Sequence, residues 1–335
     1  MSDAVDPVEL KALGRDAGLD AVGITAAEPF LDTRRHLHER RAAGLHGGMS
    51  FTYRNPERST EPGRVVAGAK TIVVGARSYP PPPRSTRGAR VAAYAAEDHY
   101  AMLRGALGAI AARLRTGGWQ ARVLADDNAL VDREAAYRAG IGWYGKSTNM
   151  LLPGRGSWFV LGSVVTDAPL AVDGGPIDDG CGSCRRCLDG CPTGAIVTPG
   201  VVDARRCLAW LLQARGDFPL EFREALGDRI YGCDECQEVC PPNRRAAAPA
   251  AASDGVDIIE LLAADDETLL ARHGRWYIPE RDPRYLRRNA LVVLGNTAAP
   301  DDSEAAATIE RYRIDPDPML QSHADWAHDR IAARA

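Results

Sequence analysis

The sequence predicts mixed α/β and α+β structure in three consecutive units. These are an α/β domain over residues 1–174, a cysteine-rich module over 175–245 and an all-helical domain over 254–335. Three observations lead there. Apolar spacing alternates between helical and strand periods up to about residue 170, the pattern of helices layered on a sheet. All eight cysteines of the 335-residue chain fall between Cys181 and Cys240. Beyond residue 254 the spacing is helical only.

Taken in order, Pro7 opens a helix with Val8, Leu10, Leu13 and Ala17 at helical spacing, and Gly18 ends it. Ala21–Ile24 reads as a short buried strand, and 28–48 as a second helix ending near Gly44, Gly47 and Gly48. Residues 49–56 are loop-like, and Ala69–Gly75 is a strong strand. The four prolines Pro80–Pro83 then forbid regular structure. A helix follows to Leu114 with Met102, Leu103, Leu107, Ile110 and Leu114 as one stripe, closed by Gly117-Gly118. Ala121–Leu124 is a strand with Asp126, Asp127 and Asn128 beyond its carboxyl end. A helix over 130–139 stops at Gly140, and Ser157–Val165 is a further strand. Residues 244–253 read as a linker. Helical segments follow at 256–271, 284–298, 302–313 and 317–333, with 287–296 and 319–327 as paired helices of a HEAT-like repeat.

Composition excludes several classes. Hydrophobic residues make up 45% and charged residues 26%, as expected of a soluble globular protein. The net charge of -4 gives no global field for nucleic acid, so such binding needs a local basic patch. The acidic start Met1–Pro7 is no secretory signal, and no stretch reaches membrane-span length, so a cytoplasmic, reducing location is expected. Lys11, Lys70 and Lys146 are the only lysines, which singles out Lys146.

Cys181, Cys184, Cys187 and Cys191-Pro192 form C-x2-C-x2-C-x3-C-P, the bacterial ferredoxin run. Cys233, Cys236 and Cys240-Pro241 repeat it with one member missing, which Cys207 can supply. Three cysteines at intervals of three wrap three corners of one cubane, and the fourth, before proline, points at the other. The predicted wiring is Cys181, Cys184, Cys187 and Cys240 on one [4Fe-4S] cluster and Cys191, Cys207, Cys233 and Cys236 on a second. Two four-thiolate zinc sites are the rival, because C-x2-C is also a zinc spacing, but zinc does not require C-x3-C-P at both ends. Disulfides would need an oxidising compartment.

Three further stretches resemble the epoxyqueuosine reductase family. Asp126 to Lys146 carries an aspartate after a strand, a helix, and then Ala139-Gly-Ile-Gly-Trp-Tyr-Gly-Lys146. Thr148-Asn-Met through Gly156-Ser-Trp-Phe-Val-Leu-Gly162 matches a second pattern, and Arg288-Asn289, Leu294-Gly295-Asn296 and His323–Ala327 a third. The family core in turn resembles reductive dehalogenases. The resemblance implies a cobalamin- and iron–sulfur-dependent oxidoreductase of queuosine biosynthesis. It would remove the epoxide oxygen of epoxyqueuosine at the tRNA wobble position, in an α/β domain that binds cobalamin. An external low-potential donor would feed the clusters, and the protein is expected to act as a monomer without a membrane.

The resemblance also assigns residues. Asp126 aligns with the proton-donating aspartate, which needs a raised pKa; the alternative is that Asp126, or Asp127, merely caps a turn. Lys146, Thr148, Asn149, Met150 and Ser157 would line the corrin or substrate pocket, against an ordinary glycine-rich turn. Arg281, Arg284, Arg287 and Arg288, with Trp276, Tyr277 and Tyr285 for stacking, form the candidate tRNA patch; a solvated helix face with core aromatics is the other reading. Other arginine pairs, 185–186, 205–206 and 244–245, are further candidates.

Some positions depart from the family pattern. Asp98-His99-Tyr100 stands where Asp-Tyr-His is usual, Ser147 stands between Lys146 and Thr148, and Arg58 lies one place off an expected arginine. No D-x-H-x-x-G run offers a histidine to cobalt. Two other functions fit parts of the chain: a corrinoid reductase of a small molecule, and a two-cluster electron carrier without catalysis.

Overall fold

The computed structural model describes residues 5–51, 53–79, 81, 88–246 and 255–335, without the side chains of residues 245 and 246. Most of the expected proline turn and most of the expected linker lie outside them. The first unit is built on a four-stranded sheet of Ala21–Ala26, Thr71–Ser78, Phe159–Thr166 and Ala121–Ala125, in that spatial order. Every neighbouring pair is antiparallel. Alternating helices and strands usually make a parallel sheet. Here Thr71–Ser78 and Ala121–Ala125 do run the same way, joined by the helix His99–Thr116, but Phe159–Thr166 slots between them from later in the chain.

The central strand Thr71–Ser78 is buried on both faces, so its residues divide between two cores. Val73 joins Leu10, Leu103, Leu107, Ile110 and Leu114 under the helices Pro7–Asp16 and His99–Thr116. Ile72, Val74 and Ala76 face Phe30, Leu130, Ala135 and Ala136 on the other side. Gly75 pairs with Gly162 across the sheet. A Cβ at Gly162 would lie 2.7 Å from a Leu107 methyl, and one at Gly75 3.0 Å from the other Leu107 methyl. The helix therefore rests directly on the backbone. Met102 leaves the expected stripe: it is exposed and takes the Arg77 guanidinium on its sulfur at 3.3 Å. The second helix is shorter than expected, Leu31–Ala42.

The cysteine-rich stretch has only short elements, among them the helices Arg186–Asp189 and Glu235–Glu238 and the strand pair Ile196–Thr198 with Val201–Val202. Its middle does not stand alone. Leu208, Leu211, Leu212, Phe218, Leu226, Ile230 and Tyr231 share one core with Leu261, Leu286, Leu291, Leu294, Ile309 and Ala324 of the C-terminal helices.

Those helices are Ile258–Ala263, Asp266–His273, Arg284–Thr297, Ser303–Arg313 and Pro318–Ala332. The helix expected over 256–271 is divided, because Asp265 starts a second one by accepting the Thr268 N–H. Asp302 and Asp317 cap the last two helices in the same way. Gly295 lets two helices touch: a Cβ there would lie 2.8 Å from the Ala327 Cα. Among the described residues no helix is long and apolar enough to cross a membrane.

Candidate active site and cluster loops

All eight cysteines are free thiols, each partly buried. Their mutual electrostatics divide them into two sets. Burial pushes Cys240 up to about 11, with Cys181, Cys187 and Cys184 adding to the push. Burial raises Cys187 as well, helped by Cys181 and Cys184. On the other side, burial raises Cys236 far above its usual value, with Cys233, Cys207 and Cys191 contributing. Cys233 is pushed up to about 12 by burial, with Cys207 among its neighbours, and Cys207 is raised by burial with Cys191 beside it. Cys191 alone ends below its ordinary value: burial raises it, but backbone donors outweigh that, including the Ala195 N–H at 3.2 Å. Cys181, Cys184 and Cys187 thus act on Cys240, and Cys191, Cys207 and Cys233 on Cys236.

Crowded, buried thiols do not ionise readily without a metal to compensate. Zinc draws its sulfurs to about 3.8 Å of one another, given Zn–S bonds of about 2.3 Å. Among the described residues, no three Cys, His, Asp or Glu side chains close on a single-ion site. The thiol spacing along the chain, with a proline after the last cysteine of each run, is that of [4Fe-4S] ligands.

Asp126 follows the strand Ala121–Ala125, where its φ of 55° is left-handed. That region is costly for most residues and more tolerated by Asp. The turn after it is pinned on both sides. The Asp127 carboxylate accepts the Ala129 N–H at 2.8 Å, and Arg58 donates to Asn128 Oδ1 at 3.2 Å. Asp127 is therefore the turn cap, and the Asp126 carboxyl takes no part in it. Asp126 is exposed to water. Burial raises its pKa, Arg104 pulls it back and Asp127 adds to the rise.

The groups around Asp126 were not singled out in the sequence. Burial raises the Tyr100 phenol far above its usual value, with Asp126 and Asp132 next in effect. Burial pushes Tyr231 up to about 12, with Asp126 among the further causes. Asp132 accepts the Ser163 hydroxyl at 2.7 Å and is pushed up to about 7 by burial, with Asp127 and Asp126 adding. Its flanks, Leu130-Val131 and Ala135-Ala136, were the sequence signal for a buried acid. Tyr79 stacks on the buried His99 at 4.8 Å and feels both Tyr100 and Cys236. Tyr100 thus interacts electrostatically with both Asp126 and Tyr79. The exchanged pair His99-Tyr100 puts the imidazole under Tyr79 and the phenol toward Asp126.

The other expected pocket residues take different places. Lys146 does not present its ammonium to a pocket; it donates to the Gly182 carbonyl and, at 2.9 Å, to the Cys184 carbonyl. Met150 is buried in the sheet core, 3% exposed. Ser157 is a latch: its hydroxyl accepts from Asn243 at 2.9 Å and Gln237 at 3.1 Å, tying it to the second cysteine run. Thr148 has φ 69° and its carbonyl accepts from Arg133 at 3.2 Å. Asn149 donates from Nδ2 to Cys236 Sγ at 3.6 Å.

The arginine patch also changes. Arg288 cannot meet a phosphate, because it is fully buried and donates to the carbonyls of Ala214 at 2.8 Å, Gly216 and Leu211 at 3.1 Å. Arg287 is mostly buried and paired with Asp266 at 2.5 Å. Arg284 is exposed, with Asp282 and Asp317 as partners, and Arg281 is exposed with one bond to the Gly274 carbonyl. Trp276 is core, stacked on Tyr231 at 4.6 Å, whereas Tyr277 is 54% exposed.

A family model described as a 4Fe-4S double cluster binding domain matches residues 180–243. The epoxyqueuosine reductase of Xanthomonas campestris is 34% identical, over 95% of this chain and 94% of its own length. A crystal structure of epoxyqueuosine reductase with an epoxyqueuosine-modified tyrosine-tRNA stem loop is 32% identical and superposes with a TM-score of 0.85, covering 97% of this chain and 89% of that one. A structure of the Bacillus subtilis epoxyqueuosine reductase, with a catalytic loop swung out of the active site, has the same identity and TM-score, covering 97% of this chain and 90% of that one. A B12-dependent reductive dehalogenase is 23% identical at a TM-score of 0.50, over 73% of this chain and 34% of its own; that likeness concerns the fold alone.

Proposed function

The chain belongs to the epoxyqueuosine reductase family, and on that premise we propose that it reduces epoxyqueuosine to queuosine at the wobble position of tRNA. It is an oxidoreductase of tRNA modification. Converting the epoxide to the alkene takes up two electrons and two protons and releases the oxygen as water. The electrons come from an external low-potential donor through the two [4Fe-4S] clusters. The chemistry that cobalamin supplies when bound is two-electron reduction at cobalt. The α/β unit, residues 1–174, is the proposed corrin domain, and residues 254–335 the HEAT-like one. The protein works as a cytoplasmic monomer.

The single observation that carries the site is Asp126. It stands exposed on a left-handed turn at the carboxyl end of a strand, its pKa is raised, and the Tyr100 phenol responds to its charge. A general acid must hold its proton near neutral pH and release it in the transition state. Asp126 is the proposed donor to the departing epoxide oxygen. The strained left-handed turn, fixed by Asp127 and Arg58, aims it. Residues that would face the corrin are Asp126, Tyr100 and Thr148.

For tRNA, the supporting surface is the exposed Arg281, Arg284 and Tyr277, beside a groove of about 460 Å³ lined by Arg284, Arg287, Arg311 and Tyr312 together with Asp315 and Asp317. The relative solved with a stem loop supports this class of partner. The deciding experiment is anaerobic reconstitution with iron, sulfide and cobalamin, then assay on tRNA carrying epoxyqueuosine. Queuosine formation that needs all three supports the reading. Clusters and cobalamin bound without queuosine would overturn it.

A further inference from the structure

The hairpin Trp143–Leu151 sends its polar side chains to both cysteine runs. The Lys146 ammonium donates to the carbonyls of Gly182 and Cys184, inside the first run. The Asn149 amide donates to Cys236 Sγ at 3.6 Å, inside the second. The Trp143 ring lies against Gly180, next to Cys181: a Cβ on that glycine would be 2.7 Å from it. Its indole N–H is buried and has no acceptor among the described residues.

The hairpin is built to hold these positions. The Gly145 N–H donates to the Asn149 carbonyl at 2.8 Å, closing the turn. Thr148 takes a left-handed backbone that is costly for a residue other than glycine. Gly142 and Gly145 have no room for a side chain: a Cβ on either would lie 2.2 Å from Leu151 atoms.

We propose that this hairpin sets the reduction potentials of the two clusters separately, Lys146 acting on the one held by Cys181, Cys184, Cys187 and Cys240 and Asn149 on the one held by Cys191, Cys207, Cys233 and Cys236. The inference rests on the two-cluster reading above. Reduction adds one negative charge to a cluster. A nearby cation or an N–H donor on a ligand sulfur favours the reduced form and raises the potential. Lys146 is half-buried, so water screens its charge incompletely. Asn149 carries no charge but touches a ligand sulfur directly. Both are positioning residues, acting through the cysteine loops.

The test is potentiometric titration of the reconstituted full-length holoenzyme, following the two reduced-cluster signals by electron paramagnetic resonance. Cys184→Ser identifies the first signal by removing it. Asn149→Leu is expected to lower the potential of the second cluster and leave the first unmoved. Lys146→Met is expected to lower the first and leave the second, and Lys146→Arg to restore it. Either variant moving both clusters alike, or neither, with iron and sulfide at wild-type content, would overturn the proposal. If Lys146→Met loses iron, Lys146→Arg and Asn149→Leu still decide it. Wild-type protein that takes up no iron and sulfide would instead sink the two-cluster reading.

Discussion

Asp126 owes its chemistry to placement, since a carboxyl in water would be ionised at neutral pH. Burial raises it, and the turn that presents it is fixed by neighbours, not by its own side chain. Asp126→Asn keeps the shape and removes the transferable proton. Turnover should fall by about 10²–10⁴-fold, with cluster absorbance unchanged; undiminished turnover would dismiss Asp126 as the acid. His323 shows the same burial effect with opposite sign. It is fully buried, its Nδ1 faces the Met319 carbonyl at 2.7 Å and its Nε2 accepts the Phe218 N–H at 3.1 Å. Burial, with Arg223 adding, pushes it down to about 4. An unfolded histidine takes up a proton near pH 6.5. The folded form stays neutral, so its contribution is complete above pH 6.5 and is lost as pH falls towards 4, by up to about 3 kcal/mol. Denaturant titration should show the stability gap between wild type and His323→Gln shrinking from pH 7.5 to pH 5. Asp132, raised to about 7 by burial, contributes the other way, losing stability as pH rises, but it is common to both proteins and cancels.

At the scale of elements, the sheet tolerates its covering helix only because Gly75 and Gly162 are paired beneath Leu107. Gly162→Ala should cost about 1–3 kcal/mol by overpacking, visible in thermal unfolding. A neutral change would mean that the helix can lift. Helix positions were largely legible, because Asp302 and Asp317 caps and apolar spacing are local signals. The order of the sheet was not, since nothing local marks Phe159–Thr166 as the strand that inserts between two earlier ones. The double-cluster module could be read for the same reason as the helices, because most of its ligand spacing is written within a dozen residues. The hairpin residues expected in one pocket point different ways, which sequence nearness to a site does not show. Along it Met150 turns into the core, Lys146 to one cysteine loop and Asn149 to the other.

For the whole molecule, the acidic average hides where a polyanion would dock. If the stem loop rests on the C-terminal surface, Arg284→Ala should weaken binding and reduce the salt slope by about one. An unchanged slope in a fluorescence titration across salt concentrations would move the surface elsewhere. Arg288 is not a binding residue but a joint, and Arg288→Met should destabilise by about 3–5 kcal/mol, the order found on breaking buried polar networks, because it strands the carbonyls of Leu211, Ala214 and Gly216. Those carbonyls follow Cys207 by only a few residues, on the segment that shares its core with the last helices. The electron-carrying insert is therefore no cassette. A chimera that borrows residues 175–245 from a relative must bring the matching C-terminal helices along, or Cys207 will arrive on a strand of chain with nothing to lean against.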